Sequence, residues 1–403
     1  MPKIVKKQEN FLGLYVFSFN SYESDINIDT IHETRSYTTN IFHIESIKER
    51  PIKYGYQQGK GLVKYNPANG SIEESNVLGQ LLSIADGDTK KLKSFLNKYG
   101  SLFPIETHYY TKYAQADIFK VIKKLRDTIE LMIQVCEPRQ RDYKKLFKLI
   151  WELYDFSDLE IKTHNNRSYA YYRKNFIKEE FDSYLTSGAA YQFFSQDDAQ
   201  VDDTFKESGI ITIKDIVYGE QQYTYKEYED LMTSKKWTPF FHNLSFFHFE
   251  ERNNKYIHLW DLFFHFFREN PEIYLNFKYN NYEEFDKAGF KIKSEYKEAL
   301  LKVGKSMLST EINEHLKTVR PLYNSDKLEP GWFVKDLITA LYLSIFYLKP
   351  NVELIRKCGN PNCDSYFVVN TSSSRTKYCC HECANAVAQA NYRKKKRAEA
   401  LDK

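Results

Sequence analysis

An α+β fold, mainly α, with a small cysteine-rich module at its C-terminal end is the architecture this sequence predicts. Three observations lead there. The apolar pattern runs at strand period near the start of the chain and at helical period through most of the remainder. Hydrophobic residues make up 42% and charged residues 28% of the 403, which suits a folded core and excludes wholesale disorder. Five of the six cysteines fall between Cys358 and Cys383, a span of 26 residues.

Residues 1–75 read as mostly β. Phe11 to Phe19 is a strand candidate, and Gly61 to Tyr65 pairs with the segment from Ser71 onward through a turn at Asn69-Gly70. Gly59-Lys60-Gly61 lacks the spacing of a phosphate loop and reads as a turn. Leu78, Leu81, Leu82 and Ile84 begin the helical stretch, and Thr89 to Tyr99 forms an amphipathic helix. Ala114 to Tyr154 is helical with Ile118, Val121, Leu125, Ile129 and Met132 on one stripe, interrupted at Glu137-Pro138. Ile210 to Ile216 reads as a strand and Thr224 to Met232 as the start of a helix. Phe240 to His265 is crowded with aromatics at helical spacing, expected to form core. Helices are expected at 294–319 and 331–348. The domains expected are an N-terminal α+β region over 1–160, a mainly helical, aromatic-rich region over 161–350, and a cysteine-rich module with a basic C-terminal helix over 351–403.

No run reaches the ~18 apolar residues of a membrane span. The N-terminus has lysines but no apolar stretch before Glu9, so neither an anchor nor a secretory leader is expected, and the chain reads as cytoplasmic. The net charge of +4 is unevenly divided: residues 353–397 carry +6 and residues 1–352 carry −1. A near-neutral body with a basic tail points to an anionic partner at that end, nucleic acid above all.

A cysteine cluster in a chain of this kind reads as a metal site rather than a disulfide framework. Cys358-x4-Cys363 lies on the turn Gly359-Asn360-Pro361-Asn362, and the second pair, Cys379-x3-Cys383 or Cys380-x2-Cys383, lies where a helix begins. Two local pairs of thiolates are what tetrahedral zinc requires. Tyr366 to Val369 reads as a strand between them, so a hairpin followed by a ligand-bearing helix gives a treble-clef-like module. His381 adds a further donor beside the second pair. Cys136 stands alone and reads as a buried small hydrophobe.

The helix after the last cysteine places Asn385, Gln389, Tyr392 and Lys396 on one face, and Ala384, Val387 and Ala388 toward the zinc core. Amides, an aromatic and cations on one face suit base edges and phosphates, and the run Arg393, Lys394, Lys395, Lys396 and Arg397 suits phosphates.

The segment from Cys358 to Arg397 resembles the CGNR-type zinc finger of bacterial proteins. The resemblance rests on the C-x4-C knuckle, the following strand, a Ser/Arg-rich turn, an aromatic-Cys pair at Tyr378-Cys379, a fourth cysteine and a basic helix. It implies that Cys379 rather than Cys380 completes the ligand set Cys358, Cys363, Cys379 and Cys383. It also implies a nucleic-acid-binding, transcription-regulator-like module after a larger N-terminal part. The naming motif departs here: Cys383-Ala384-Asn385-Ala386 keeps the asparagine and loses the arginine.

The function expected is therefore a zinc-containing regulator that binds DNA or RNA, with a body that senses a small molecule or protein, or forms a homodimer. Two other classes compete. Arg252-Asn253-x4-His258 fits the loose Arg-polar-x-His pattern of HEPN-type ribonucleases, with the zinc module as a targeting device. Alternatively the module serves protein interaction, which requires Arg393 to Arg397 to be dispensable. No other catalytic pattern, whether HExxH, Walker loop or dinucleotide fingerprint, is present.

Overall fold

The computed structural model describes residues 14–34, 37–104, 111–156, 159–162, 168–172, 181, 209–233, 238–279, 282–287, 290–324, 329–349, 353–370 and 376–401. In chain order the elements are β1 (Leu14–Ser18), β2 (Tyr22–Thr34), β3 (Tyr37–Pro51), β4 (Lys53–Gln57), β5 (Gly61–Tyr65), β6 (Ile72–Glu74), α1 (Val77–Leu82), α2 (Thr89–Tyr99), β7 (Thr111–Ala114), α3 (Gln115–Cys136) and α4 (Tyr143–Tyr154). There follow β8 (Leu159–Lys162), β9 (Ser168–Tyr172), β10 (Ile210–Asp215), β11 (Gly219–Thr224), α5 (Tyr225–Thr233), α6 (Pro239–Phe249), α7 (Ile257–Glu269), α8 (Pro271–Lys278), α9 (Tyr282–Lys287) and α10 (Ser294–Leu316). The chain ends with β12 (Arg320–Asn324), β13 (Glu329–Phe333), α11 (Leu337–Tyr347), β14 (Glu353–Lys357), β15 (Tyr366–Asn370) and α12 (His381–Leu401). The class is α+β, mainly α. No described helix is long and apolar enough to cross a membrane.

Two compact units divide the chain: the first takes residues 1–136, 159–171 and 309–403, the second 137–158 and 172–308. The first contains a six-stranded sheet in the order β12-β13-β1-β4-β5-β6 and a separate β2-β3-β7 sheet. Its core gathers Phe17, Tyr54, Leu62, Leu81, Leu125, Ile129 and Leu341, all nearly inaccessible to solvent. Helix ends follow local chemistry. Asp88 caps α2 by accepting from the Lys91 N–H at 3.0 Å, and Asp336 caps α11 by accepting from the Thr339 N–H at 2.9 Å. Cys136, expected to be buried, is half-buried at the end of α3.

One expectation is corrected. The helix foreseen over 331–348 begins only at Leu337, because residues 329–333 form β13. That strand pairs antiparallel with β12 and parallel with β1, with Phe17 opposite Trp332. Pro330 and Gly331 disfavour helix, Trp332 and Phe333 favour strand, and the Asp336 cap fixes the start of α11.

The second unit is held by aromatic packing. Phe147 stacks on Phe266 at 3.8 Å, Phe240 on Tyr274 at 4.3 Å, and Phe181 lies 4.8 Å from Trp260. Each such pair adds about 0.5–1.5 kcal/mol to the area it buries. The antiparallel β10–β11 hairpin belongs to the same unit.

Candidate metal centre and basic helix

The metal module grows from the β14–β15 hairpin, where Lys357 faces Tyr366. Eight residues close it. Cys358 N–H donates to the Ser365 carbonyl at 2.8 Å, Cys363 N–H to the Asn360 carbonyl at 2.9 Å, and Asn362 N–H to Asn360 Oδ1 at 3.1 Å. This tight knuckle turns the first two thiols to one side. Gly359 N–H donates to the Lys377 carbonyl at 2.8 Å, bringing in the segment that carries the second pair. A Cβ on Gly359 would stand only 3.0 Å from that oxygen, so glycine permits the approach.

The donor atoms of Cys358, Cys363, Cys379 and Cys383 all lie within 4.8 Å of one another. Cys379 Sγ is 3.7 Å from Cys363 Sγ and 3.6 Å from Cys383 Sγ. Tetrahedral zinc with bonds of about 2.3 Å separates its sulfurs by about 3.8 Å, which the two spacings from Cys379 match and the 4.8 Å span of the four thiols accommodates. The Cys379 N–H also donates to Cys358 Sγ at 3.4 Å. Hydrogen bonds from the Ser365 side chain and backbone pull the Cys363 thiol down to about 7, whereas burial and neighbouring thiols push Cys379 up. Four thiolates this close need a cation to coexist. Cys380 is exposed, its sulfur 3.8 Å from Cys379 Sγ, and His381 is exposed at the first turn of α12.

The hairpin is built into the first unit. The Glu353 carboxylate accepts from Tyr56 Oη at 3.1 Å and from the Gly59 N–H at 2.9 Å. Asn76 Nδ2 donates to the Tyr366 carbonyl at 2.8 Å, and the Tyr366 N–H donates to Ser83 Oγ at 3.0 Å. A side chain on Gly79 would collide with both Asn76 and the Tyr366 carbonyl, so its absence lets α1 and β15 meet.

The second half of the module is different. No described residue from Thr376 to Lys396 is buried. Asn385, Gln389, Arg393, Lys394 and Lys396 are exposed, and Tyr392 is 67% exposed despite its size. Ala384 and Val387 are half-buried, but Ala388, expected to face the metal, is exposed, because α12 leaves the knuckle after its first two turns. Lys395 and Arg397 lie on α12 with side chains outside the described set, as do all of residues 371–375.

Arg252 and His258 lie in the second unit. Arg252 Nη1 is 2.5 Å from Asp261 Oδ1 and donates to the His248 carbonyl at 3.0 Å, while Nη2 donates to the Lys214 carbonyl at 2.5 Å. His258 is half-buried at the start of α7, and its Nδ1 is shielded from solvent without a hydrogen-bond partner among the described residues. Two buried histidines of this unit, His248 and His265, are not among the residues the sequence pattern singles out. His248 and His265 each sit in a Phe-Phe-His-Phe run, at 246–249 and 263–266, and that duplication is the signal that marks them.

Hairpin, knuckle and helix, with four thiols within 4.8 Å of one another, define a treble-clef-like module positioned to bind zinc. Residues 355–396 match the profile of the CGNR zinc finger, whose span covers both cysteine pairs and the basic run through Lys396. Comparison with curated proteins and with solved structures returns no match for the chain.

Proposed function

We propose that the chain is a zinc-containing regulator that binds DNA or RNA through α12, with Cys358, Cys363, Cys379 and Cys383 as ligands and the remainder as a sensing or dimerising body. One observation carries this. The helix with Asn385, Gln389, Tyr392 and the cations from Arg393 to Arg397 has no buried residue in its described part, yet begins at a metal centre anchored in the first unit. Zinc thus fixes the direction of a helix whose exposed face is suited to nucleic acid. Cations track phosphates irrespective of sequence, whereas Asn385 and Gln389 can pair with base edges and Tyr392 can stack. The experiment is binding of the full chain to duplex DNA and to single-stranded RNA, with Cys363→Ser beside the wild type. Binding that disappears with the zinc, while the remainder stays folded, supports the proposal. Equal binding by the metal-free variant contradicts it.

A further inference from the structure

A second set of donors lies in the unit that the cysteines do not reach. Asp215, His248 and His265 are all buried, and one donor atom from each lies within 4.8 Å of the others. His265 Nε2 is 2.9 Å from Asp215 Oδ2, and the Tyr223 hydroxyl is 3.3 Å from His248 Nε2. The four side chains come from β10, β11, α6 and α7, and packing holds each from behind. Asp215 Oδ1 accepts the Val217 and Tyr218 N–H groups, both at 2.7 Å, which leaves Oδ2 turned inward. His248 Nδ1 is 2.7 Å from Asp261 Oδ1, and Asp261 is in turn held by Arg252. The carboxylate accepts, so Nδ1 carries the proton and the Nε2 lone pair faces the cluster.

This is the arrangement of a metal-binding histidine, whose second nitrogen donates to a carboxylate that fixes tautomer and ring orientation. The His265–Asp215 contact at 2.9 Å is an ordinary hydrogen bond, whereas the Tyr223–His248 contact is longer. A hydroxyl 3.3 Å from an imidazole nitrogen is long for an O–H···N bond. It matches the edge of about 3.3 Å that bonds of about 2.0–2.1 Å give a tetrahedron. Of the two buried carboxylates in this network, Asp261 pairs with the Arg252 guanidinium and Asp215 with the His265 imidazole.

We propose that Asp215, His248 and His265, with Tyr223 as the fourth donor, form a second metal site, for a divalent first-row transition ion such as zinc. Mixed imidazole and oxygen donors suit that class. A bound ion would replace the His265–Asp215 hydrogen bond, and would clasp the β10–β11 hairpin to α6 and α7.

The test is elemental analysis of the full chain, purified without chelator, as wild type, Cys363→Ser/Cys379→Ser and His248→Gln/His265→Gln. The result expected is two equivalents of metal in the wild type, and one retained when the cysteines are changed. The histidine variant should lose one equivalent and keep the other. A folded cysteine variant that carries no metal, or a histidine variant with wild-type content, overturns the proposal. Should the histidine variant not fold, the cysteine variant decides alone. Stripped with chelator and titrated with Zn(II), it should take up one equivalent with a rise in Tm, and failure to take up zinc overturns the site.

Discussion

The C-terminal module and the aromatic core of the second unit are held together in opposite ways. In the core, Trp260, Phe247 and Phe263 are inaccessible to solvent, and rings pack on rings throughout. In the module, the hairpin shares the first unit's core, but the described residues from Thr376 to Lys396 contribute no buried side chain. Among the described residues its two halves meet at the four sulfurs, at the hydrogen bond from the Gly359 N–H to the Lys377 carbonyl, and at that from the Cys379 N–H to Cys358 Sγ. Stability in the core therefore comes from apolar area, and stability in the second half of the module comes from a metal.

Metal removal should separate the two most widely. Structural zinc contributes about 10–16 kcal/mol to small modules at neutral pH. Cys363→Ser should therefore release residues 376–401 to rapid hydrogen exchange and leave β14, β15 and α7 protected. Slow exchange in 376–401 after zinc loss would show that the helix has an anchor other than the metal.

The converse lesion is Trp260→Ala. It should cost about 3–5 kcal/mol and lower the Tm of the second unit, with no change in zinc bound by the cysteines. Loss of that zinc in the Trp260 variant would show that the two regions are not independent.

A third perturbation acts on the first unit, where Lys124 and Glu311 form a buried ion pair at 3.1 Å. Burial pushes the Glu311 carboxyl up, but Lys124, His315 and Tyr342 outweigh it and hold it well below the ordinary 4.5. The folded state therefore binds fewer protons than the unfolded state, so this stabilisation is complete above about pH 4.5 and is lost as the pH falls through the lower folded value. Glu311→Gln, which takes the carboxylate from this buried pair, should cost about 3–5 kcal/mol at neutral pH and flatten the acid limb of the stability profile. An unaltered acid limb, followed by urea denaturation across pH, would assign the acid sensitivity to other groups.

These differences also explain what the sequence disclosed. The cysteines were readable because each pair is local, so spacing alone shows which thiols can share an ion. Thr89–Tyr99 and the strand Gly61–Tyr65 were readable for a similar reason, since period and capping residues lie within one element. Asp215, His248 and His265 stand 33 and 17 residues apart, and only the packing of a hairpin against two helices brings them together. β13 was misread because its pairing with β1 joins residues more than 300 positions apart, a contact that no local pattern records.

The proposed role of α12, a nucleic-acid-binding helix held by zinc, rests on its exposed cations. Its most direct test is the salt dependence of duplex DNA binding by the full chain, with and without the five cations from Arg393 to Arg397. If four or five of them neutralise phosphates, log K should fall with log salt at a slope near −4, about −0.9 for each contact. Replacing all five with alanine should weaken binding to every sequence and flatten that slope, with zinc content unchanged. Unchanged affinity and slope in that variant would contradict the claim and leave the module as a zinc-dependent protein-interaction surface.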